Sequence, residues 1–178
     1  MGDVYKKLSP FVEGKHEGRF VVNVVIETPQ GRRSKFTYND KLKIFELSKV
    51  LPAGMVFPYD FGFVPNTLGE DGDPIDVLVL MDEPVFTGCL VQARLIGVIE
   101  GEQTEQDGAT MRNDRLVAVS IESHTYKEVT SIHELNDELV EQVEQFFVTY
   151  NEMVGKVFKV LGRYAAEKAR ELVVAGSR

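Results

Sequence analysis

Glu70-Asp71-Gly72-Asp73-Pro74-Ile75-Asp76-Val77-Leu78-Val79-Leu80 runs from a knot of acids straight into an apolar strand. Three aspartates stand at i, i+2 and i+5. Gly72 permits a sharp turn and Pro74 fixes its own φ, so the acidic segment is stiff. In an extended chain i and i+2 point to the same side, and a turn brings the third acid back toward them. Carboxylates held this close repel one another unless cations neutralise them. Hard oxygen donors of this kind suit Mg²⁺, Mn²⁺ or Ca²⁺ rather than zinc. The bland alternative is a solvated acidic turn capping a strand. The wholly apolar strand that follows keeps the turn near the core, and Pro74 adds a rigidity that a solvent loop does not need. An EF-hand loop beginning at Asp71 is excluded, because Ile75, Asp76 and Asp82 stand where it needs an Asp or Asn, a Gly and a Glu.

Outward from this segment, short strand-like runs punctuate the first two thirds of the chain. Val21 to Glu27 ends at Pro29 and Gly31, and Ser34 to Tyr38 faces Leu42 to Val50 across Asn39-Asp40. Asp76 to Met81, Cys89 to Ile99 and Arg115 to Ile121 follow. This spacing predicts a barrel or a sandwich. After His124 the period changes: Leu135, Leu139, Val143, Phe146 or Phe147, Tyr150 and Val154 mark one amphipathic helix ending near Gly155. Ser131 is its expected cap, with Glu134 as reciprocal partner. A second helix is expected from Tyr164 to Val174. Strands first and helices last read as α+β, with helices laid against the sheet.

The chain has 178 residues, which fits one domain of the usual roughly 100–200. Its 20 Lys and Arg against 28 Asp and Glu give a net charge of -8. With no basic block, neither nucleic acid nor an anionic membrane is an expected partner. A polyanion is held by such a chain only through a local cation cluster or through bound metal. Cys89, the single cysteine, reads as a small buried hydrophobe and excludes CxxC zinc chemistry. His16, His124 and His133 lack ligand spacing and read as structural or surface residues. The first residues carry no signal-peptide pattern and no run is long enough to span a membrane, so the expected address is the cytoplasm.

Asp71-Gly72-Asp73-Pro74-Ile75-Asp76-Val77 matches D-x-D-P-x-D-V and resembles the signature of the soluble family I inorganic pyrophosphatases. Val25 to Pro29, Phe57 to Leu68, Leu116 to Val119 and Phe146 to Tyr150 resemble further blocks of that family, in order, over about Val21 to Gly162. The resemblance implies one pyrophosphatase-like domain over residues 1–178. It implies an OB-like five-stranded closed barrel with two C-terminal helices packed outside, in a homo-oligomer, a hexamer before other sizes. It implies hydrolysis of pyrophosphate with Mg²⁺, or alternatively Mn²⁺, as cofactor. Carried over residue by residue, it makes Asp71 and Asp76 metal ligands and Asp73 a ligand or the general base. Glu27 reaches metal through water, Lys35 and Tyr150 contact phosphate, and Asp107 falls roughly in an acidic metal-bearing loop.

The departures from the family pattern are as informative. Lys49 stands for a phosphate-gripping arginine and keeps the charge without the planar fork. Thr37 replaces a carboxylate, Phe57 and Phe61 replace tyrosines, and Asn151 replaces a lysine. Tyr59 points to the other strand face and is no substitute. Arg112-Asn113-Asp114-Arg115 puts Asn113 at a metal-binding aspartate and Arg115 at a lysine, with Asp114 as stand-in ligand if the turn shifts by one residue. Arg32, Arg33 and Arg112 are candidate compensating cations. The alternatives are a hydrolase of another phosphoanhydride or phosphate ester on the same scaffold, and a non-catalytic phosphate binder. Retention of Asp73 weighs against the last.

Overall fold

The computed structural model describes residues 5–14 and 18–178, so His16 lies outside it. Among the described residues the strands are β1 (Val21–Thr28), β2 (Ser34–Asn39), β3 (Ile44–Val50), β4 (Asp60–Phe63), β5 (Asp76–Leu80), β6 (Leu90–Thr104), β7 (Thr110–Arg112), β8 (Arg115–Ser120) and β9 (Val157–Ala165). Two helices follow the strand-rich part, α1 (Asp137–Glu152) and α2 (Ala166–Gly176).

β1 bonds to β4 on one side and to β6 on the other, and the path β1-β4-β5-β8-β6 returns to β1. β5 and β8 are parallel, whereas the other neighbours in the sheet are antiparallel. The sheet is therefore larger than the five strands expected. The long β6 runs past the ring and pairs there with β7 and β9. β2 and β3 form a separate two-stranded sheet, hinged on the register Asn39↔Ile44.

Unbroken apolar runs are required here because both faces of the strands are covered. Side chains alternate across a strand, and along β5 Val77 and Val79 enter one buried cluster while Leu78 and Leu80 enter another. The first cluster gathers Val22, Val24, Ile26, Leu95 and Ala118 and is closed by Ala169 and Val173 of α2. The second receives Val140, Val143 and Phe147 of α1. Each such side chain removed from water contributes roughly 1.5–3 kcal/mol. At Gly97 the register of β6 against β8 slips, and a Cβ there would lie 2.5 Å from the Tyr164 carbonyl oxygen and 2.6 Å from Ile132 Cγ2. Only glycine lets β6, β9 and Ile132 meet at that point.

The helical region departs from expectation in two ways. Ser131 caps a single 3₁₀ turn, Ile132–Glu134, and Glu134 reaches back to the Thr130 amide. Leu135 then turns extended, so α1 starts afresh with Asn136 accepting the Glu138 N–H. Second, Tyr164 belongs to β9 rather than to a helix. Its alternation was hidden because β9 is half exposed and lies against the outer part of β6.

Candidate active site

The aspartate turn is built by its own backbone. Asp71 Oδ1 accepts the Asp73 N–H at 3.1 Å, and the Gly69 N–H donates to the Asp73 carbonyl at 2.7 Å. Gly72 at φ 88° closes the bend in the left-handed region. The turn is anchored by Thr67, whose hydroxyl donates to the Val64 carbonyl at 2.6 Å and accepts the Ile75 N–H at 3.0 Å. The C-terminus braces the same loop, since Leu68 N–H donates to the Gly176 carbonyl and Arg178 N–H to that of Asn66.

Asp71, Asp73 and Asp76 open onto a pocket of about 650 Å³, and Glu27 of β1 and Thr37 of β2 line the same space. Glu27 Oε1 accepts the Tyr38 N–H at 2.8 Å. Thr28 both donates to and accepts from the Phe36 backbone, which fastens β2 to β1. Lys35 and Lys49 are direct cross-strand partners and both line the pocket. Their ammonium groups lie 5.5 and 5.2 Å from the ring of Tyr150, which reaches the same pocket from α1. Like charges facing each other across two strands are unfavourable. A cation pair kept in that register is able to receive an anion.

Arg115 is buried at the head of β8. Its Nη1 donates to Asp76 Oδ2 at 2.5 Å and also to Asn113 Oδ1. The guanidinium stands 5.1 Å from the Phe147 ring centre, 5.7 Å from Phe158 and 6.0 Å from Phe61. Its Nε is buried without a hydrogen-bond partner among the described residues.

Burial dominates the carboxylates. It pushes Glu27 up to about 7, against the Tyr38 hydrogen bond and with the neighbouring Asp76 charge adding to it. Burial likewise raises Asp76 and Asp71, although Arg115 pulls Asp76 back and the Asp73 N–H pulls Asp71 back. These are oxygen donors short of positive charge. Glu27, Asp71 and Asp76 each give one oxygen to a protein hydrogen bond, at Tyr38, Asp73 and Arg115. Among the described residues no three or more His, Cys, Asp or Glu form a ready-made metal cage. Mg²⁺ rarely uses one; it takes one or two carboxylates and completes its shell with water and substrate phosphate. The donor set fits an open site of that kind.

Two of the expected ligands do not join the pocket. Asp114 instead lines a smaller neighbouring cavity that Asp71 and Asp76 also border, accepting the Gly101 N–H and pairing with Arg112 at 2.8 Å. Asp107 accepts the Ala109 N–H within its own turn and lies outside the pocket lining. The candidate compensating cations are also engaged elsewhere or absent from the lining. Arg33 donates to the Leu51 carbonyl, Arg112 is held between Glu100 and Asp114, and Arg32 does not line the pocket. Phe57 and Phe61 are core residues packed on each other at 5.5 Å. Tyr59 does not point to the other face as expected: it packs against the same buried cluster as Phe57 and Phe61, beside Leu139 and Val140, and it does not line the pocket. Asn151 lines the pocket but donates to the Phe147 carbonyl within its helix. Glu105 and Lys156, which the sequence did not single out, line the pocket and pair at 2.8 Å. The signal for Glu105 was present two residues before Asp107 in the same acidic loop, whereas nothing local marked Lys156.

The family model for inorganic pyrophosphatase matches residues 24–178. The chain belongs to the inorganic pyrophosphatase family. An inorganic pyrophosphatase of Synechocystis sp. is 37% identical over 142 residues, covering 80% of this chain and 81% of the relative. One of Nostoc sp. is 36% identical over 153 residues, covering 86% and 88%. Among solved structures, the inorganic pyrophosphatase of Thermus thermophilus superposes with a TM-score of 0.84 at 32% identity over 97% of both chains. The sheet-dominated architecture with two helices is thus that of pyrophosphatases.

Proposed function

We propose that this chain hydrolyses inorganic pyrophosphate to two orthophosphates in the pocket between the aspartate turn and the Lys35–Lys49 pair. The observation that carries the reading is the placement of Asp71, Asp73 and Asp76 across one space from two register-matched lysines. An acidic wall facing a cationic wall suits a polyanion that arrives with divalent cations. Asp71, Asp73, Asp76 and Glu27 would hold Mg²⁺, with Mn²⁺ as a substitute. The metal when bound lowers the pKa of a coordinated water and screens the leaving phosphate.

The chain's own residues do the rest. Lys35 and Lys49 take the phosphate oxygens and hold the substrate in line, which is most of what phosphoryl transfer requires. Asp73 is exposed at the pocket rim, free to accept the proton of the attacking water. Tyr150 sets the height of both lysines and offers its hydroxyl to phosphate. Arg115 neutralises one oxygen of Asp76 and keeps its carboxylate fixed.

Support for the barrel reading comes from the pairing path that returns to β1, which we take as an OB-like closed barrel. We read residues 1–178 as one pyrophosphatase-like domain working in the cytoplasm as a homo-oligomer, a hexamer by family resemblance. No helix is long and apolar enough to cross a membrane among the described residues.

The test is phosphate release. Pyrophosphate is split with Mg²⁺ and not with EDTA, and Asp73→Asn removes turnover. A second reading rests on pocket size: about 650 Å³ leaves room beyond pyrophosphate for a larger phosphoanhydride. Faster cleavage of ATP or of a sugar diphosphate than of pyrophosphate establishes it instead.

A further inference from the structure

One wall of the pocket is a continuous chain of side chains. Lys156 Nζ lies 2.9 Å from Glu105 Oε1 and 2.8 Å from Oε2. Gln103 Nε2 donates to the same Oε1 at 2.5 Å, and Gln103 Oε1 accepts from Asn113 Nδ2 at 3.0 Å. Asn113 Oδ1 in turn accepts from Arg115, which pairs with Asp76.

Glu105 differs in one respect from Glu27 and from the aspartates of the turn. Glu27, Asp71 and Asp76 each give one oxygen to a protein donor, while both oxygens of Glu105 face the ammonium of Lys156. The pair is not an accident of two mobile surface chains. The β6–β9 register sets Thr104 opposite Val157, so Glu105 and Lys156 come together just beyond the ladder. The backbone of Lys156 is fixed by its N–H to the Asn151 carbonyl, and Gln106 Nε2 holds the adjoining Val154 carbonyl at 2.9 Å. Both side chains are about a third exposed or less, at 33% and 27%. A carboxylate in a pocket already crowded with acids needs a positive neighbour, and here the protein supplies it covalently.

We propose that Lys156 is the resident cation of Glu105, standing in the place where this wall would otherwise bind a divalent ion. The site then recruits metal only at the aspartate turn. The inference rests on the pyrophosphatase reading of the pocket but is tested apart from it. An ammonium has three donors and no preference for octahedral geometry. It therefore fixes Glu105 without competing for the water and phosphate ligands a divalent ion needs.

The experiment counts Mn²⁺ bound per full-length chain, without substrate, by electron paramagnetic resonance. Lys156→Met is expected to bind one more Mn²⁺ than the parent. Lys156→Arg, Glu105→Gln and the double variant Lys156→Met/Glu105→Gln are expected to match the parent. An unchanged count in folded Lys156→Met overturns the proposal, and so does the loss of one Mn²⁺ in Glu105→Gln, which would make Glu105 a ligand already. If Lys156→Met does not fold, the Glu105→Gln count decides alone. Parent protein that binds Mn²⁺ but splits no pyrophosphate refutes the functional reading and leaves this one standing.

Discussion

Lys35 of β2 and Lys49 of β3 sit directly opposite each other, both with their ammonium groups over the ring of Tyr150. The arrangement follows from a bulge. Lys35 pairs with Lys49 while the next residue, Phe36, pairs with Leu47, so Ser48 is left over and Lys49 is turned toward the pocket. Replacing either lysine by Met should lower kcat/KM by about 10–100-fold, the usual weight of a charge-assisted contact made to a phosphate. The same variants should melt no lower than the parent in phosphate-free buffer, because a cross-strand repulsion is removed. A parallel loss of Tm and activity would assign the lysines to the fold instead.

Asp73 and Asp71 divide the work of the turn. Asp73 offers an exposed carboxylate, whereas Asp71 accepts the Asp73 N–H. Asp73→Asn should therefore reduce turnover by at least about 100-fold with little change in urea midpoint. Asp71→Ala should lose activity and, in addition, about 0.5–1.5 kcal/mol of stability. Chemical denaturation beside a phosphate-release assay separates the two.

Restoring a tyrosine at Phe61 should not restore a family-like site. Phe61 is 3% exposed and packs on Phe57 and Phe147 beneath the Arg115 guanidinium. A hydroxyl placed there without a partner costs about 1–3 kcal/mol. Phe61→Tyr is expected to be less stable and no faster. Higher turnover at unchanged stability would mean that the ring edge reaches the pocket.

Asp82 supplies the clearest acid dependence outside the pocket. Its two oxygens accept the N–H groups of His124 and Thr125 at 2.6 and 2.9 Å. Hydrogen bonds from Thr125 and His124 hold its carboxyl down at about 2, against about 3.9 in an unfolded chain. A lowered carboxylate stabilises the fold fully above the unfolded value and loses that contribution as pH falls through the folded one. Asp82→Asn should thus be less stable than the parent at pH 7. The gap should narrow from about pH 4 and largely close near pH 2. Urea midpoints across that range measure it; a gap independent of pH would show that the carboxylate's charge is not what matters.

Gly97→Ala probes the crossing of β6 and β9. With the Tyr164 carbonyl 2.5 Å from the new methyl group, backbone must move. The expected loss is about 1–3 kcal/mol or more, read as a lower Tm.

Much of this molecule was legible along the chain. The aspartate turn, the hairpin around Asn39-Asp40 and the apolar strands β1, β5 and β8 are local matters. Turn residues, β-branched runs and signature spacing determine them where they stand. The sequence also marked Lys35, Lys49 and Tyr150 as phosphate contacts through family resemblance, and the fold brings them to one pocket. It did not show that Asp107 and Asp114 accept the amides of Ala109 and Gly101, because whether an acid in a loop faces a pocket depends on which backbone amide captures it first. It did not show β9, whose half-exposed alternation is weak beside the helical patterns on either side. Nor did it show Lys156. Residue types and their spacing along the chain determined that this protein carries a bend of three aspartates on a strand-rich fold. The register of distant strands, a bulge at Ser48 and the β6–β9 ladder decided which cations meet it, because side-chain direction at long range is set by pairing and not by neighbours in sequence.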